Sequence, residues 1–312
     1  MKKILVATQK PFAAVAKEQI DKVGRAAGYQ VAYLEKYESE ADLCKAVADA
    51  DALIVRSDKV TSKVVEAAAN LKIVVRAGAG YDNLDLPALS AKGIVAMNTP
   101  GQNAGGVAEL AIGLLIFMAR GEFNPGTGVE IEGRVLGLHG YGAVARKVGA
   151  KARALGMKVC AFDPFVKPED MRKEGVTPVK SLAALYKRSF AVSIHVPLLP
   201  STRGCVNEAL LSGMNGGDRC IVINTARNEV IDAEGMFAAL AANSKMCYAT
   251  DVCSCADESW ARFKDTYGTR VWANPGKIGA QTSESNVRAA AAAAKQIVAF
   301  FEKGVTKFQL NK

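Results

Sequence analysis

Short apolar runs alternate with longer segments of helical spacing along the whole chain. The apolar runs are bounded by polar or glycine-containing turns, which is typical of strands buried on both faces. Segments between them, for example Phe12–Ala27 and Ser181–Lys187, repeat apolar residues at helical spacing. This alternation predicts an α/β fold in which helices cover both faces of a parallel sheet. The predicted strands are Ile4–Ala7, Val31–Leu34, Ala52–Val55, Ile73–Val75, Ile94–Ala96, Val135–Leu138, Lys158–Phe162, Val192–His195, Cys220–Ile223, Lys245–Tyr248 and Arg270–Trp272.

The eleven predicted strands are too many for one ordinary open sheet, so we expect two doubly wound parallel-sheet domains. A chain of 312 residues has room for two domains. The pattern breaks at a long apolar helix, Asn103–Arg120, and at the loop Gly121–Gly128, which is rich in Gly and Pro. A final alanine-rich helix is predicted over Ser283–Lys303, with Ser283 as its N-cap and Gly304 as its stop.

Composition and charge exclude several classes of protein. The chain is 50% hydrophobic and 23% charged, which excludes a disordered protein. The net charge of +9 is scattered, and aromatic residues are only 7%, so no nucleic-acid partner is expected. The longest apolar run, Val107–Ala119, contains Glu109 and is too short to cross a bilayer. We therefore expect no membrane partner.

Cysteine and histidine usage limits the chemistry further. The seven cysteines form no CxxC pair, and His139 and His195 are the only histidines, so no metal site is expected. An odd number of cysteines indicates reduced thiols. The apolar stretch behind Met1, Lys2 and Lys3 is too short for a signal peptide, so we expect a cytoplasmic protein.

A glycine-rich turn follows the strand that ends at Leu138. It has the form G-x-G-x-x-A, with Gly140, Gly142 and Ala145 at its defining positions, and a helix follows it. In a dinucleotide fold the first glycine permits the turn and the second lets the backbone approach the pyrophosphate. The N-terminus of the helix then faces the phosphates. The predicted cofactor contacts in this turn are Gly140, Tyr141, Gly142, Ala143 and Val144.

Asp163 directly follows the next predicted strand, about 20 residues beyond the turn. An acid at this position hydrogen-bonds the ribose hydroxyls of the cofactor and repels a 2′-phosphate. Because no arginine follows it directly, the pattern favours NAD over NADP as the cofactor. The alternative is that Asp163 and Pro164 only begin a turn. His139 is interpreted as structural or as lining the cofactor.

Blocks of sequence spread over nearly the whole chain match one family pattern. They are VRSDKVT at 55–61, VRAGAGYDNLDLPALSAKGI at 75–94, NTPGQNAGGVAELAIGLL at 98–115, GLHGYGAVA at 137–145, SIHVPLLPSTRG at 193–204, INTARNEVID at 223–232, ATDV at 249–252 and KIGAQTSES at 277–285. In this order they resemble the D-2-hydroxyacid dehydrogenase family. Within it they are most similar to the short phosphoglycerate dehydrogenases that lack a C-terminal regulatory domain.

The resemblance implies a discontinuous arrangement of domains. A flavodoxin-like substrate domain would comprise residues 1–98 and 286–312, with a Rossmann NAD-binding domain, residues 99–285, inserted into it. The active site would lie in the cleft between them, and the protein would be a homodimer. Further NAD contacts implied by the matching blocks are His195, Pro197, Thr225, Ala226 and Asp251.

Arg227 is the first candidate catalytic residue. It follows a predicted strand, at the carboxyl edge where α/β sheets place ligands. Its planar guanidinium can bind the carboxylate and carbonyl of a 2-oxo acid as a fork, which lysine cannot do. The alternative is that Arg227 is only a surface arginine at the end of a strand, and the family match makes this the weaker interpretation.

The predicted substrate contacts lie in the N-terminal part of the chain. The RAGAG turn at 76–80 offers backbone N–H groups to a carboxylate, or is an ordinary turn at a strand end. Arg56 and Lys59 would hold a distal phosphate, or are solvated loop charges. Asn103 would add a polar contact, or would cap the long helix. The predicted substrate-binding residues are Arg56, Ser57, Lys59, Ala77, Gly78, Ala79 and Asn103.

The catalytic pair of the family is altered in this chain. Most relatives carry a His in a P-H-I-G block, where this chain has Lys277 after an extra residue behind Pro275. The acidic partner expected five residues past Asp251 is replaced by Ala256. In one interpretation Lys277 is the acid/base, and burial and the charge of Arg227 lower its pKa from about 10.4. Loss of the acid fits this, since a carboxylate would raise that pKa again. In the other, Lys277 is a loop lysine of a non-catalytic NAD-binding relative.

The preferred function is NAD-dependent oxidation of 3-phosphoglycerate to 3-phosphohydroxypyruvate, the entry step of serine biosynthesis, as the resemblance implies. Arg227 would bind the substrate and Lys277 would be the acid/base. One alternative is a glyoxylate or hydroxypyruvate reductase. Another is an NAD-sensing binding protein that binds the cofactor without turnover.

Overall fold

The structure is a computed structural model that describes residues 1–253 and 258–311, without the side chains of residues 258 and 259. The chain divides into two compact units. The first comprises Met1–Asn103 and Thr282–Lys312, and the second comprises Ala104–Gln281. No described helix is both long and apolar enough to span a membrane.

Twelve strands and twelve α-helices form the two units over the described residues. The strands are β1 Lys3–Thr8, β2 Gln30–Glu35, β3 Ala52–Val55, β4 Ile73–Arg76, β5 Val95–Asn98, β6 Val135–His139, β7 Lys158–Phe162, β8 Thr177–Pro178, β9 Ala191–Ile194, β10 Cys220–Asn224, β11 Met246–Thr250 and β12 Val271–Ala273. The helices are α1 Ala14–Ala26, α2 Glu40–Val47, α3 Ser62–Ala67, α4 Leu86–Ala91, α5 Ala104–Ala119, α6 Ala143–Ala154, α7 Pro168–Lys173, α8 Leu182–Arg188, α9 Glu208–Ser212, α10 Ala233–Ala242, α11 Glu258–Tyr267 and α12 Ser283–Lys303.

The first unit contains a parallel sheet of five strands in the order β2-β1-β3-β4-β5, the flavodoxin-like order. Successive residues of β1 enter different cores: Ile4 and Val6 pack with α12 on one face, and Leu5 packs with α2 on the other. This alternation follows from the two-residue period of a strand. Helix α12 begins at the cap Thr282, whose hydroxyl accepts the N–H of Ser285 at 3.2 Å.

The second unit contains a parallel sheet of seven strands in the order β12-β11-β10-β9-β6-β7-β8. The order reverses between β6 and β9, because the chain runs outward from β6 in one direction and from β9 in the other. Dinucleotide folds bind their ligand at this reversal, beside the carboxyl ends of the strands. Two buried clusters cover the faces of the sheet. The prediction of two doubly wound parallel-sheet domains is confirmed.

Several predicted boundaries differ from the structure. The N-cap of α12 is Thr282, not Ser283. Strand β8 was not predicted, because it is a two-residue edge strand that contains a proline and pairs only with β7. The units divide after Asn103 and before Thr282, whereas the predicted divisions lay after residues 98 and 285. Residues just past β5 stay with the first unit, since Thr99 N–H donates to Gly78 O at 2.9 Å.

Candidate active site

The glycine turn lies between β6 and α6 of the second unit. Gly140 has a φ of +90°, and a Cβ built on it would lie 2.9 Å from the carbonyl oxygen of His195. Only glycine fits there without a shift of backbone. A Cβ built on Gly142 would meet nothing within 4 Å, and the residue is exposed. The turn is therefore packed tightly on one side and leaves its backbone accessible at Gly142.

The N-terminus of α6 has the properties of an anion site. Gly142 is its N-cap, no side chain caps it, and no acidic residue occupies its first turn. Ala143 is exposed and Val144 is half-buried, whereas Ala145 is fully buried against the sheet. The first N–H groups of a helix lack intrahelical acceptors and carry a partial positive charge. Their arrangement suits the pyrophosphate of a dinucleotide.

Tyr141 and Asp163 are joined through the backbone of the turn. The N–H of Tyr141 donates to Asp163 Oδ2 at 2.7 Å, and the N–H of Phe165 donates to Asp163 Oδ1 at 2.8 Å. The Tyr141 ring is 1% exposed, and its hydroxyl donates to Glu174 at 2.8 Å. Only the backbone of Tyr141 therefore faces the turn. The carboxylate of Asp163 keeps lone pairs for ribose hydroxyls, since two oxygens accept about four hydrogen bonds.

Three buried polar atoms at the carboxyl edge of the sheet have no hydrogen-bond partner among the described residues. They are His195 Nε2, Thr225 Oγ1 and Asp251 Oδ1, which follow β9, β10 and β11. A buried polar group without a partner costs free energy, so such atoms point to a ligand. All three residues are among the cofactor contacts that the resemblance implies. The edge therefore fits a dinucleotide that supplies the missing partners.

The two histidines are neutral groups of the interior. Burial lowers the pKa of His139 to about 4, and its Nδ1 lies 3.1 Å from the Tyr186 hydroxyl. Burial and the neighbouring His139 lower the pKa of His195 to about 3. His195 also donates its backbone N–H to His139 O at 2.8 Å, which ties β9 to the glycine turn. Pro197, two residues on, is exposed.

Arg227 and Lys277 converge on one carbonyl oxygen. Arg227 Nη1 donates to Ala226 O at 2.9 Å, and Lys277 Nζ donates to the same oxygen at 3.2 Å. The side chain of Asn224, fully buried at the end of β10, holds this turn from both sides. Its Oδ1 accepts from Ala226 N–H at 3.0 Å, and its Nδ2 donates to Arg227 O at 2.9 Å. Asn224 was not predicted as a site residue, although it opens the NTARN segment.

Asp251 fixes the loop that carries Lys277. It is fully buried, and its Oδ2 accepts the N–H groups of Ile278 at 3.1 Å and of Gly279 at 2.7 Å. A Cβ on Gly279 would lie 3.1 Å from that oxygen, so the loop passes close to the carboxylate. Burial raises the pKa of the Asp251 carboxyl, while the Gly279 N–H and the Lys277 charge act in the opposite direction.

The structure corrects two details of the lysine hypothesis. Lys277 is exposed, whereas the hypothesis expected it to be buried. The Asp251 carboxylate also interacts with this lysine, since the charge of Lys277 stabilises the ionised form of Asp251. Arg227 remains as the neighbouring positive charge. Ala256, at the position of the missing acid, lies outside the described residues.

In the first unit, the RAGAG turn follows β4 and is held by side chains that were not predicted. Asn98 Nδ2 donates to Ala79 O at 2.6 Å, and Arg76 Nε donates to Arg56 O at 2.8 Å. Gly78 has a φ of +155°, and a Cβ there would clash with the Arg76 guanidinium. The N–H groups of Ala79 and Gly80 donate to no other described residue. Ala77, by contrast, donates its N–H to Val55 O.

Arg56 is held in place near the same turn. Its Nη2 donates to Asn286 Oδ1 at 2.8 Å, its Nη1 donates to Lys10 O at 3.3 Å, and it lies over the Phe12 ring. Burial lowers the pKa of its guanidinium from the usual value. Ser57 and Lys59 are exposed on the same loop. Asn103 is half-buried and directly precedes α5, at the end of the first unit's N-terminal segment.

Comparison with known proteins decides the family. The family model described as D-isomer specific 2-hydroxyacid dehydrogenase, catalytic domain, matches residues 5–311. The chain belongs to this family. A crystal structure of NAD+-bound 3-phosphoglycerate dehydrogenase from Entamoeba histolytica has 41% identity and a TM-score of 0.90, covering 100% of this chain and 99% of that one.

Two curated members of this dehydrogenase family differ in their named activities. A hydroxypyruvate reductase from Thermotoga maritima is 40% identical over 219 residues, which is 66% of this chain and 68% of the relative. A D-3-phosphoglycerate dehydrogenase from Synechocystis is 32% identical over 296 residues, which is 90% of this chain. The match spans 52% of the Synechocystis protein. The family expectation drawn from the sequence blocks is therefore confirmed.

No group of three or more metal-ligating His, Cys, Asp or Glu residues lies together in the part of the chain that the structure describes. The candidate site of this family member contains the backbone N–H groups at the N-terminus of α6, the guanidinium of Arg227 and the amino group of Lys277. Such a set binds anions and moves protons.

Proposed function

We propose that this protein is an NAD-dependent 2-hydroxyacid dehydrogenase that converts 3-phosphoglycerate to 3-phosphohydroxypyruvate. The observation that carries the proposal is that Arg227 and Lys277 donate to the same oxygen, Ala226 O. This oxygen follows β10, at the edge of the sheet where three buried polar atoms have no hydrogen-bond partner among the described residues. A 2-hydroxy acid presents two kinds of oxygen, a carboxylate and a C2 oxygen, to such a pair. The Entamoeba and Synechocystis relatives support the choice of substrate.

The cofactor is NAD, held by the second unit. The turn at Gly140 and Gly142 and the N-terminus of α6 take the pyrophosphate, and Asp163 takes the ribose hydroxyls. Thr225 Oγ1 and Asp251 Oδ1 supply polar partners beyond the strand ends. When bound, NAD supplies a nicotinamide ring that accepts a hydride from C2 of the substrate.

Arg227 orients the substrate and Lys277 handles the proton. The guanidinium binds the carboxylate and the C2 oxygen as a fork, which polarises the C2 carbonyl in the reductive direction. In oxidation, the neutral amine of Lys277 takes the C2 hydroxyl proton onto Nζ as the hydride leaves C2. In reduction, the ammonium returns that proton to the C2 oxygen. The positive charge of Arg227 favours the neutral amine that oxidation needs.

The first unit contributes anion-binding groups. The N–H groups of Ala79 and Gly80 suit a carboxylate oxygen, because they donate to no other described residue. Arg56 and Lys59 bind the distal phosphate, and the half-buried Arg56 is the more rigid of the two. A cytoplasmic location and a homodimer remain part of the proposal, as the family implies.

A second candidate is a reductase of hydroxypyruvate or glyoxylate. The 40% identity to the Thermotoga hydroxypyruvate reductase favours it. This activity has no phosphate to bind, so Arg56→Ala and Lys59→Ala would barely alter its substrate KM. A third candidate is an NAD-sensing binding protein, for which Lys277→Ala would leave all behaviour unchanged.

The test is NADH consumption by the purified protein with 3-phosphohydroxypyruvate, hydroxypyruvate or glyoxylate. We expect turnover to be fastest with 3-phosphohydroxypyruvate, and Arg56→Ala to raise the KM for that substrate alone. Faster turnover of hydroxypyruvate, with no effect of Arg56→Ala, would identify the reductase. Tight NADH binding without turnover of any of the three would overturn the proposal of an enzyme.

A further inference from the structure

Three neighbouring strands of the seven-stranded sheet each begin directly after a basic residue. Arg219 precedes β10, Lys245 precedes β11 and Arg270 precedes β12. Because these strands are parallel neighbours, their first residues share the amino edge of the sheet. The candidate active site lies at the opposite, carboxyl edge. The proposed reaction therefore makes no use of these three cations.

A cavity of about 180 Å³ lies among the three basic side chains, and we call it the basic cavity. Its remaining lining residues are Gly121, Asp218, Ser244, Cys247 and Thr269. A water molecule occupies about 30 Å³ in the liquid, so this volume accommodates a phosphate group with a short carbon chain.

The two guanidinium groups of the basic cavity are already held in place. Arg219 Nη1 donates to the carbonyl of Met118 at the end of α5. Arg270 Nη1 donates to the carbonyls of Leu240 at 2.8 Å and Asn243 at 3.0 Å, at the end of α10. A guanidinium has five N–H donors, so each group keeps donors beyond these bonds. An anion would meet two pre-positioned forks, which reduces the entropy lost on binding.

The acidic residues near the basic cavity leave it with excess positive charge. Asp218, in its lining, pairs with Arg134 at 2.9 Å. Burial raises the pKa of the Cys247 thiol in the cavity wall, and Glu122 is close enough for its charge to raise that pKa further. Glu122 Oε1 lies 3.7 Å from Lys264 Nζ. Within the described parts of the chain, no carboxylate forms an ion pair with any of the three cavity cations. Three like charges around one small volume favour the entry of an anion.

We propose that the basic cavity binds a small phosphate-bearing anion at a site separate from the candidate active site. The arginine forks match the oxygens of a phosphate group, which guanidinium binds in bidentate fashion. Lys245 adds a third charge from the exposed rim. Inorganic phosphate and a phosphorylated three-carbon acid share the chemistry that this site recognises.

The test is calorimetric titration of the NAD-saturated protein with inorganic phosphate, 3-phosphoglycerate and glycerate. Lys245→Glu and Thr269→Glu change exposed residues of the basic cavity and put a carboxylate there. Lys187→Glu, an exposed change on α8, is the control: it changes the net charge as much as Lys245→Glu does and more than Thr269→Glu does. Because anion binding elsewhere is the same in all variants, the difference between them isolates the cavity.

We expect each cavity variant to weaken the binding of one phosphate-bearing anion by about tenfold or more, with Lys187→Glu unchanged. Unfolding temperatures equal to that of wild type without phosphate show that the fold is intact. Binding that is equal in all variants, or reduced equally by Lys187→Glu, would overturn the proposal. If the cavity variants lost the binding of glycerate while their binding of inorganic phosphate stayed as in wild type, the assignment of phosphate would be overturned.

Discussion

Replacing Asp251 by Asn separates the positioning of Lys277 from its chemistry. The carboxylate accepts two backbone N–H groups, from Ile278 and Gly279, directly after the lysine. The amide of Asn keeps the shape and one acceptor oxygen but loses the negative charge. The substitution therefore loosens the loop without opening a cavity in the core.

The magnitude follows from the two hydrogen bonds at 3.1 and 2.7 Å. Hydrogen bonds to a charged acceptor contribute roughly 1.5–3 kcal/mol each, against about 1 kcal/mol for neutral ones, so the anchor loses about 2 kcal/mol. A displacement of about 1 Å at a catalytic group can lower a rate 100-fold. For Asp251→Asn we expect kcat to fall by about 10- to 100-fold.

A pH profile distinguishes positioning from general damage. The Asp251 carboxylate and the Lys277 charge stabilise each other. Removing the carboxylate favours the neutral amine, so the pH dependence of kcat shifts towards lower pH in Asp251→Asn. The assay is NADH oxidation across pH, with Asp265→Asn, an exposed change, as control. An unchanged kcat and an unchanged profile would refute the anchoring role.

The free energy of unfolding of Asp251→Asn, compared with that of wild type, should also depend on pH. The folded-state pKa of Asp251 is raised by burial above the unfolded value of about 3.8. The stability gained from its protonated form is thus complete below that value and is lost as pH rises through the folded-state pKa. Urea unfolding should show Asp251→Asn gaining stability relative to wild type as pH rises over that range. A difference independent of pH would contradict the burial of an ionisable carboxyl.

Three other substitutions test separate parts of the site. Arg227→Lys keeps the positive charge but loses the planar fork of the guanidinium. We therefore expect kcat/KM for the oxo acid to fall about 10- to 100-fold, with the KM for NADH unchanged. A kcat/KM equal to that of wild type would contradict substrate binding by Arg227. Asp163→Asn removes the repulsion of a 2′-phosphate, so the ratio of NADH to NADPH activity should fall about tenfold; an unchanged ratio would contradict the ribose contact. His139 is neutral in the fold, with a pKa near 4 against 6.5, so stability is lost as pH falls from 6.5 to 4. In urea unfolding, the free energy of unfolding that His139→Gln loses on acidification should be smaller than the loss in wild type by about 3 kcal/mol. An equal loss in the two proteins would contradict the burial of a neutral imidazole.

The fold could be predicted because its signals are local. Buried parallel strands are continuous apolar runs, and the glycine turn has a fixed spacing before its helix. β8 could not be predicted, since two residues at an edge carry no periodic signal. The cap of α12 was misplaced by one residue because Thr282 and Ser283 are both good N-caps.

The site was harder, because its geometry depends on contacts between distant segments. The resemblance to the family indicated Arg227 and Lys277, but not the shared oxygen of Ala226 or the exposure of the lysine. Asn224 and Asn98 hold turns through side-chain bonds to backbone atoms, which no sequence pattern reveals.

Amine rescue of Lys277→Ala tests the central claim most directly. The substitution removes the amine while leaving the Asp251 bonds to the backbone of the loop in place, so small primary amines added to the assay could replace Nζ. We predict that NADH oxidation with 3-phosphohydroxypyruvate falls at least about 100-fold and is partly restored by methylamine, in proportion to its concentration. Lys187→Ala should behave as wild type. Full activity of Lys277→Ala without added amine would contradict the account.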